Sequence, residues 1–227
     1  MTTTIHTVGI CGAGGTMGAG IAIVAARAGF RTISFDVSEV RLDHAAQQTA
    51  AFFNKSVERG KLEPAVRDKI LSDMVRTTDL ECLADCDLMI EAVFEELSVK
   101  RELLGRLDRI CLAQTIFASN TSTLLITEIA AGSSRPERVV GMHFCLPAQL
   151  MKLIEMSPGI RTSEQTFQNV WACAEASSQI PVKTRDKPGF ILNALLISKA
   201  LFETYGTPGY APARRSVVAA ERAEIRR

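Results

Sequence analysis

The chain has 227 residues, 47% of them hydrophobic and 22% charged, with a formal net charge of +1 at pH 7. That balance supports a buried core and excludes a disordered polyelectrolyte, and near-neutrality gives no overall attraction to nucleic acid or membrane. The length fits one substantial domain with a small appendage.

Six cysteines, at 11, 82, 86, 111, 145 and 173, form no C-x-x-C pair and mostly lie in apolar runs. They read as reduced, buried small hydrophobes of a cytoplasmic protein rather than a disulfide framework. Met1–Thr7 shows no secretion signal, and no run of about 20 apolar residues suggests a membrane span.

Apolar strand-like runs alternate with helical segments through the first 185 residues, the pattern of a parallel sheet covered by helices. Val8–Cys11 reads as a buried strand, Gly12–Gly18 as a turn and Ala19–Ala28 as a small-residue helix ended by Gly29. Thr32–Phe35 is the second strand, closed by Asp36. Ser38–Arg59 is a long helix with Ser38 as N-cap, broken by Gly60, and a second helix opens at Pro64 and runs to Met74. Leu88–Val93 and Thr115–Ala118 are further strands, with a helix over Glu96–Ile110 between them. A short helix over Leu124–Ala131 precedes two apolar runs, Val139–Cys145 and Met151–Met156. Thr162–Gln179 is helical and Pro181–Thr184 extended. Asp186-Lys187-Pro188-Gly189-Phe190 marks a boundary, because Pro and Gly together punctuate the chain. An apolar helix over Ile191–Tyr205, an irregular link and an Arg-rich helix complete it. The arginines at 214, 215, 222, 226 and 227 read as a solvated face.

Gly12-Ala13-Gly14-Gly15-Thr16-Met17-Gly18 joins a strand to a helix, where backbone N–H groups can approach a pyrophosphate. The usual G-x-G-x-x-G spacing fails by one residue. Counted from Gly12 and Gly14, the third glycine falls on Met17; counted back from Gly18, the first falls on Ala13. The turn holds an extra residue, with Gly15 the natural suspect. Asp36 is placed to accept hydrogen bonds from both adenosine ribose hydroxyls and to repel a 2′-phosphate, which favours NAD; its alternative is to cap the following helix.

Ser119-Asn120-Thr121-Ser122-Thr123 follows a strand and precedes a helix, so its hydroxyls face a ligand crevice or cap the helix. Glu95 and Lys100 read as solvated charges that happen to follow a strand end. His143 interrupts a buried run, and Glu155 lies inside a second one. A buried carboxylate needs a partner, and a carboxylate beside a histidine orients it and stabilises its charged form.

Gly14–Gly18 with Asp36, Glu91-Ala92-Val93-Phe94-Glu95, Ser119–Ser122, Gly141-Met142-His143-Phe144, Met151–Glu155 and Lys187–Asn193 together resemble the 3-hydroxyacyl-CoA dehydrogenase family over most of residues 5–200. The resemblance implies an α/β fold: a Rossmann-type, mostly parallel doubly wound sheet over residues 1–185. Residues 186–227 would then be a shortened all-helical segment, where the family has a substrate and dimerisation domain.

By matched position, His143 is the catalytic base, Glu155 its partner, and Ser122 and Asn193 hydrogen-bond the reacting oxygen or its neighbourhood. Gly12, Gly14, Gly15, Thr16, Met17, Gly18, Asp36, Glu95, Lys100 and Ser122 lie along NAD. The implied substrate is a short 3-hydroxyacyl-CoA such as 3-hydroxybutyryl-CoA, in the chemistry of fatty acid β-oxidation, with a homodimer as the assembly. Arg59 and Lys61, after the long helix, are candidates for the acidic groups of CoA or are plain surface charge.

Three departures stand out: the extra turn residue, Leu146 where the family has Asn, and only 42 residues after position 185. The segment Leu201–Tyr210 resembles one near the family's C-terminus, which suggests an internal deletion and an altered end. A catalytically impaired NAD-binding or interaction protein of the same fold is the alternative.

Overall fold

A computed structural model describes residues 5–196. The expected remainder of the apolar helix beyond 196, the irregular link and the Arg-rich helix lie outside the described residues. Strand β1 (Thr7–Cys11) leads into helix α1 (Thr16–Arg27), then come β2 (Arg31–Phe35), α2 (Glu39–Glu58), α3 (Pro64–Asp73) and β3 (Met74–Thr77). The second half runs β4 (Leu88–Glu91), α4 (Leu97–Ile110), β5 (Ile116–Ser119), α5 (Ile126–Ala130), β6 (Val139–Phe144), β7 (Leu153–Pro158), α6 (Glu164–Ala176) and β8 (Ile180–Lys183).

The strands form one eight-stranded sheet in the order β3-β2-β1-β4-β5-β6-β7-β8. Every neighbouring pair is parallel except β6 and β7. The order reverses between β1 and β4, and in such sheets the ligand crevice opens there, beyond the strand carboxyl ends. This is the largely parallel, helix-covered sheet that the alternation of elements predicts, in the doubly wound Rossmann-type form that the resemblance implies.

Alternation along each strand feeds two cores. Ile10, Leu88, Ile90, Ile116, Val140 and Met142 pack on one side with Ile21 and Val24 of α1. Met89, Phe117 and Val139 pack on the other with Leu104 and Leu107 of α4. Central strands covered on both faces read as unbroken apolar runs, which is why they were legible.

Local chemistry sets the helix ends. Ser38 Oγ accepts from Arg41 N at 3.4 Å and caps α2, while Pro64 sits in the first turn of α3. Gly60 ends α2 at φ +64°, a backbone conformation suited to glycine. The helix expected over 124–131 is shorter, as is that over 162–179, where Ser163 caps α6 and Ser178 turns the chain at φ +58°. Strand β3 was not expected: Met74-Val75-Arg76-Thr77 has no apolar run and is an edge strand held by pairing with β2. All six cysteines are free, and five are buried; Cys82 is exposed, contrary to the expectation for it. No helix among the described residues is long and apolar enough to cross a membrane.

Asp108 pins α4 to the segment before β6. It accepts from Ser133 Oγ, Ser134 N, Ser134 Oγ and Arg135 Nε at 2.6–2.9 Å. Burial pushes its carboxyl up, but these hydrogen bonds, led by Ser134, outweigh it and hold the pKa at about 2 instead of 3.8. A carboxylate with a depressed folded pKa contributes stability above its unfolded pKa and loses it as pH falls toward the folded one. Urea midpoints measured against pH should therefore drop between pH 4 and 2 in part through Asp108. Asp108→Asn should lower the midpoint at pH 7 and flatten that acid limb.

Candidate active site

The glycine turn is tightly confined at three of its four glycines. Gly12 N and Ala13 N both donate to Phe35 O at 3.0 Å, tying the turn to the end of β2. A Cβ on Gly18 would lie 2.2 Å from Gly12 O, and one on Gly12, at φ +82°, 2.7 Å from Ala92 O. A Cβ on Gly14 would meet Arg41 Cβ at 2.6 Å and Asp36 Oδ2 at 2.9 Å. Gly15 has only Gly12 O near, at 3.3 Å, so the additional residue is accommodated most easily there. Gly15 is also the N-cap of α1 and supplies no capping side chain. The amides of Thr16 and Met17, first in the helix, thus lack intrahelical acceptors and carry the positive end of the helix dipole.

Asp36 ties the glycine turn to the start of α2. It is 4% exposed; Oδ2 accepts from Gly14 N at 3.1 Å, while Oδ1 accepts from Ser38 N at 3.1 Å and Arg41 Nη2 at 2.8 Å. It both holds the turn and starts α2. Arg41 was not singled out from the sequence, since an arginine early in a helix looks like ordinary surface charge.

His143 and Glu155 meet. They are register partners across the antiparallel β6–β7 pair, so their side chains leave the same face of the sheet. His143 Nδ1 lies 2.8 Å from Glu155 Oε2, and the residues are only 8% and 2% exposed. The other oxygen, Glu155 Oε1, accepts from Ile191 N at 2.9 Å and Leu192 N at 2.8 Å. Asn120, just after β5, holds the neighbouring strand end by accepting from Phe144 N at 2.9 Å. Phe190 packs against the imidazole with ring centroids 5.8 Å apart.

Lys100 corrects its expectation. It is 1% exposed, so it is not a solvated charge. Its ammonium donates to both Glu91 oxygens, at 3.0 and 2.9 Å, and pairs with Glu95 Oε2 at 3.3 Å. Glu91 also takes a short hydrogen bond from Ser119 Oγ. Burial drives the Glu91 carboxyl up, against the pull of Lys100. Glu95 is held below the usual range: burial opposes this, but Lys100 and the hydroxyls of Thr121 and Thr123 prevail.

Glu95 Oε1 accepts from Thr121 Oγ1, Ser122 N, Thr123 N and Thr123 Oγ1, which makes it the clamp of the 121–123 turn. Thr121 Oγ1 accepts from Leu124 N at 2.9 Å and so shapes the turn before α5, but the expected capping of the helix by this segment is not found: the N-cap residue is Leu125. Ser122 Oγ has no partner among the described residues, and Asn193 Nδ2 donates to Ser122 O at 3.4 Å. The structure thus brings Ser122, Asn193, Glu155 and His143 to one end of the sheet.

Residues 7–187 match the family described as 3-hydroxyacyl-CoA dehydrogenase, NAD binding domain. The chain belongs to the 3-hydroxyacyl-CoA dehydrogenase family. It is 40% identical over 189 residues to 3-hydroxyadipyl-CoA dehydrogenase of Escherichia coli (strain K12), spanning 83% of this chain and 40% of that protein. The chain therefore spans about two fifths of that curated relative. Among solved structures, 3-hydroxybutyryl-CoA dehydrogenase from Escherichia coli K12 superposes with a TM-score of 0.84 at 37% identity, covering 89% of this chain and 44% of that one. (S)-3-hydroxybutyryl-CoA dehydrogenase PaaH1 from Ralstonia eutropha gives 0.84 at 32% identity, covering 91% and 74%.

The residues of this family member fit NAD. The amides at the start of α1 face a turn from which Gly12, Gly14 and Gly18 exclude side chains, and the Asp36 carboxylate lies beside it. Leu146, the departure from the family's Asn, is 60% exposed and offers no hydrogen bond. Beyond α2, a cavity of about 270 Å³ is lined by Arg27, Lys55, Arg59 and Lys61 together with Phe52 and Leu150.

Two outcomes follow. Gly18→Ala should weaken NAD by roughly tenfold or more in a fluorescence titration, because the added methyl displaces Gly12 O. Lys100→Met leaves two carboxylates without their cation and should cost about 3–5 kcal/mol in urea unfolding at pH 7. The loss should shrink at lower pH, since Glu91 favours its protonated form when buried.

Proposed function

We propose that the chain catalyses NAD-dependent interconversion of a short 3-hydroxyacyl-CoA, such as 3-hydroxybutyryl-CoA, and its 3-oxoacyl-CoA. The observation that carries this reading is the bond of 2.8 Å between His143 Nδ1 and Glu155 Oε2 at the carboxyl end of β6. With Nδ1 committed to the carboxylate, Nε2 is the nitrogen left for substrate.

In oxidation, Nε2 takes the proton of the 3-hydroxyl as the C3 hydrogen leaves as hydride. Bound NAD supplies the acceptor for that hydride. Glu155 stabilises the imidazolium as it forms, and Phe190 keeps water from the ring. Ser122 Oγ and the Asn193 amide hold the reacting oxygen. In reduction the same imidazolium returns its proton to the nascent alkoxide.

The acyl-CoA reading is supported by the relatives, which are 3-hydroxyadipyl- and 3-hydroxybutyryl-CoA dehydrogenases. It is supported also by the cavity beyond α2. Lys55, Arg59 and Lys61 make no ion pair among the described residues, so their charges are free for phosphates, and Phe52 offers a face to a purine. This extends the CoA expectation from Arg59 and Lys61 to three cations by adding Lys55.

With acetoacetyl-CoA and NADH, the purified chain should oxidise NADH, followed by absorbance. His143→Ala should lower kcat by about 10²–10⁴ while NADH affinity and the melting transition stay unchanged. A folded, NADH-binding preparation without turnover would contradict the proposal and favour a binding protein of the same fold.

A further inference from the structure

The segment from the end of β8 to Asn193, which the sequence marks as a boundary and as one of the blocks of the family resemblance, touches His143, Glu155 and Ser122. Phe190, 8% exposed, packs on the imidazole of His143. Ile191 N and Leu192 N fill Glu155 Oε1, which leaves Oε2 alone for His143. Asn193 reaches Ser122 O. The backbone is bent into this shape through two residues at positive φ, Gly189 at +79° and Phe190 at +42°. Phe190 adopts the left-handed region without glycine's freedom, so something must fix the segment on either side.

Asp186 is that anchor. Its Oδ1 accepts from Ile126 N at 2.7 Å, and its Oδ2 accepts from Thr127 N at 2.9 Å and from Thr127 Oγ1. Both partners belong to the first turn of α5, whose N-cap residue, Leu125, has no side chain able to cap. Asp186 thus supplies from 60 residues away the cap that α5 lacks, and in return is held at a fixed point. Thr127 Oγ1 also accepts from Ile160 N at 2.9 Å, which locks that point to the loop after β7.

We propose that Asp186 is a positioning residue for the His143–Glu155 pair: by capping α5 it sets the 189–192 turn, whose amides hold Glu155 and whose Phe190 covers His143. The proposal rests on the dehydrogenase reading above, and it deepens that reading by giving the pair a third support. A carboxylate that accepts bonds through both oxygens has one orientation; with Oε1 released it can rotate away from the imidazole. Asp186 itself touches neither substrate nor cofactor.

The test uses the full chain saturated with NAD. The first readout is the downfield proton resonance of His143 Nδ1–H, assigned by its disappearance in Glu155→Gln. Asp186→Ala should shift or broaden that resonance and lower kcat with acetoacetyl-CoA and NADH by about 100-fold, the scale of a small misplacement of reacting groups. KM for NADH should stay within about threefold, because the glycine turn is not attached to this segment. Asp186→Asn retains one acceptor oxygen and should fall between. If the alanine variant does not fold, Asp186→Asn and Thr127→Val, which removes a single bond to Asp186, are read in the same way.

An unchanged resonance and kcat in whichever of these variants fold would overturn the proposal. If the parent chain shows no turnover, the dehydrogenase reading fails by itself. The resonance then still decides whether Asp186 positions the pair.

Discussion

The contact between His143 and Glu155 depends on strand register more than on any loop. The two residues are 12 apart in sequence and opposite one another across the sheet's one antiparallel pair. Sliding β7 by one residue would carry Glu155 to the other face of the sheet and leave a carboxylate buried in apolar packing. Ile154 and Met156, each 0% exposed, flank Glu155 and hold the register, because a slip would expose both faces' complements to the wrong partners. A buried polar pair adds little net stability to a fold. Here the apolar strands provide the stability, and the pair exploits the rigidity they confer.

A second buried charge cluster serves the same end of the sheet from the other side. Lys100, rising from α4, joins Glu91 at the tip of β4 to Glu95 in the loop beyond it. Glu95 in turn clamps the turn that bears Ser122. The ammonium therefore acts on the crevice indirectly, through a carboxylate and a turn. The two networks converge where Asn193 meets the Ser122 carbonyl, so Ser122, Asn193, His143 and Glu155 rest on strands β4, β5, β6 and β7 together.

What the sequence made legible was local. Buried runs such as Ile10 with Cys11 and the glycines after them signal a strand and a tight turn without knowledge of any partner. Ser38 and Pro64 mark helix starts through their own side chains. His143 and Glu155 stood out because each places a polar group inside an apolar run, where only mutual pairing makes sense. What stayed hidden depends on long-range pairing. Strand β3 exists because β2 offers it an edge. Lys100 looked solvated, since its burial follows from α4 packing over β4. Asp186 caps a helix 60 residues earlier, and Glu155 receives amides 36 and 37 residues later, distances over which spacing carries no signal.

The most direct measurement is a crystal structure of the chain with NAD and acetoacetyl-CoA, in which the distance from His143 Nε2 to the 3-oxo oxygen is read. The account requires hydrogen-bond contact, about 2.6–3.2 Å, with Glu155 still on Nδ1 and the thioester's CoA leading toward Arg59 and Lys61. An imidazole turned out of the crevice, or a substrate carbonyl bound with no contact to it, would contradict the account.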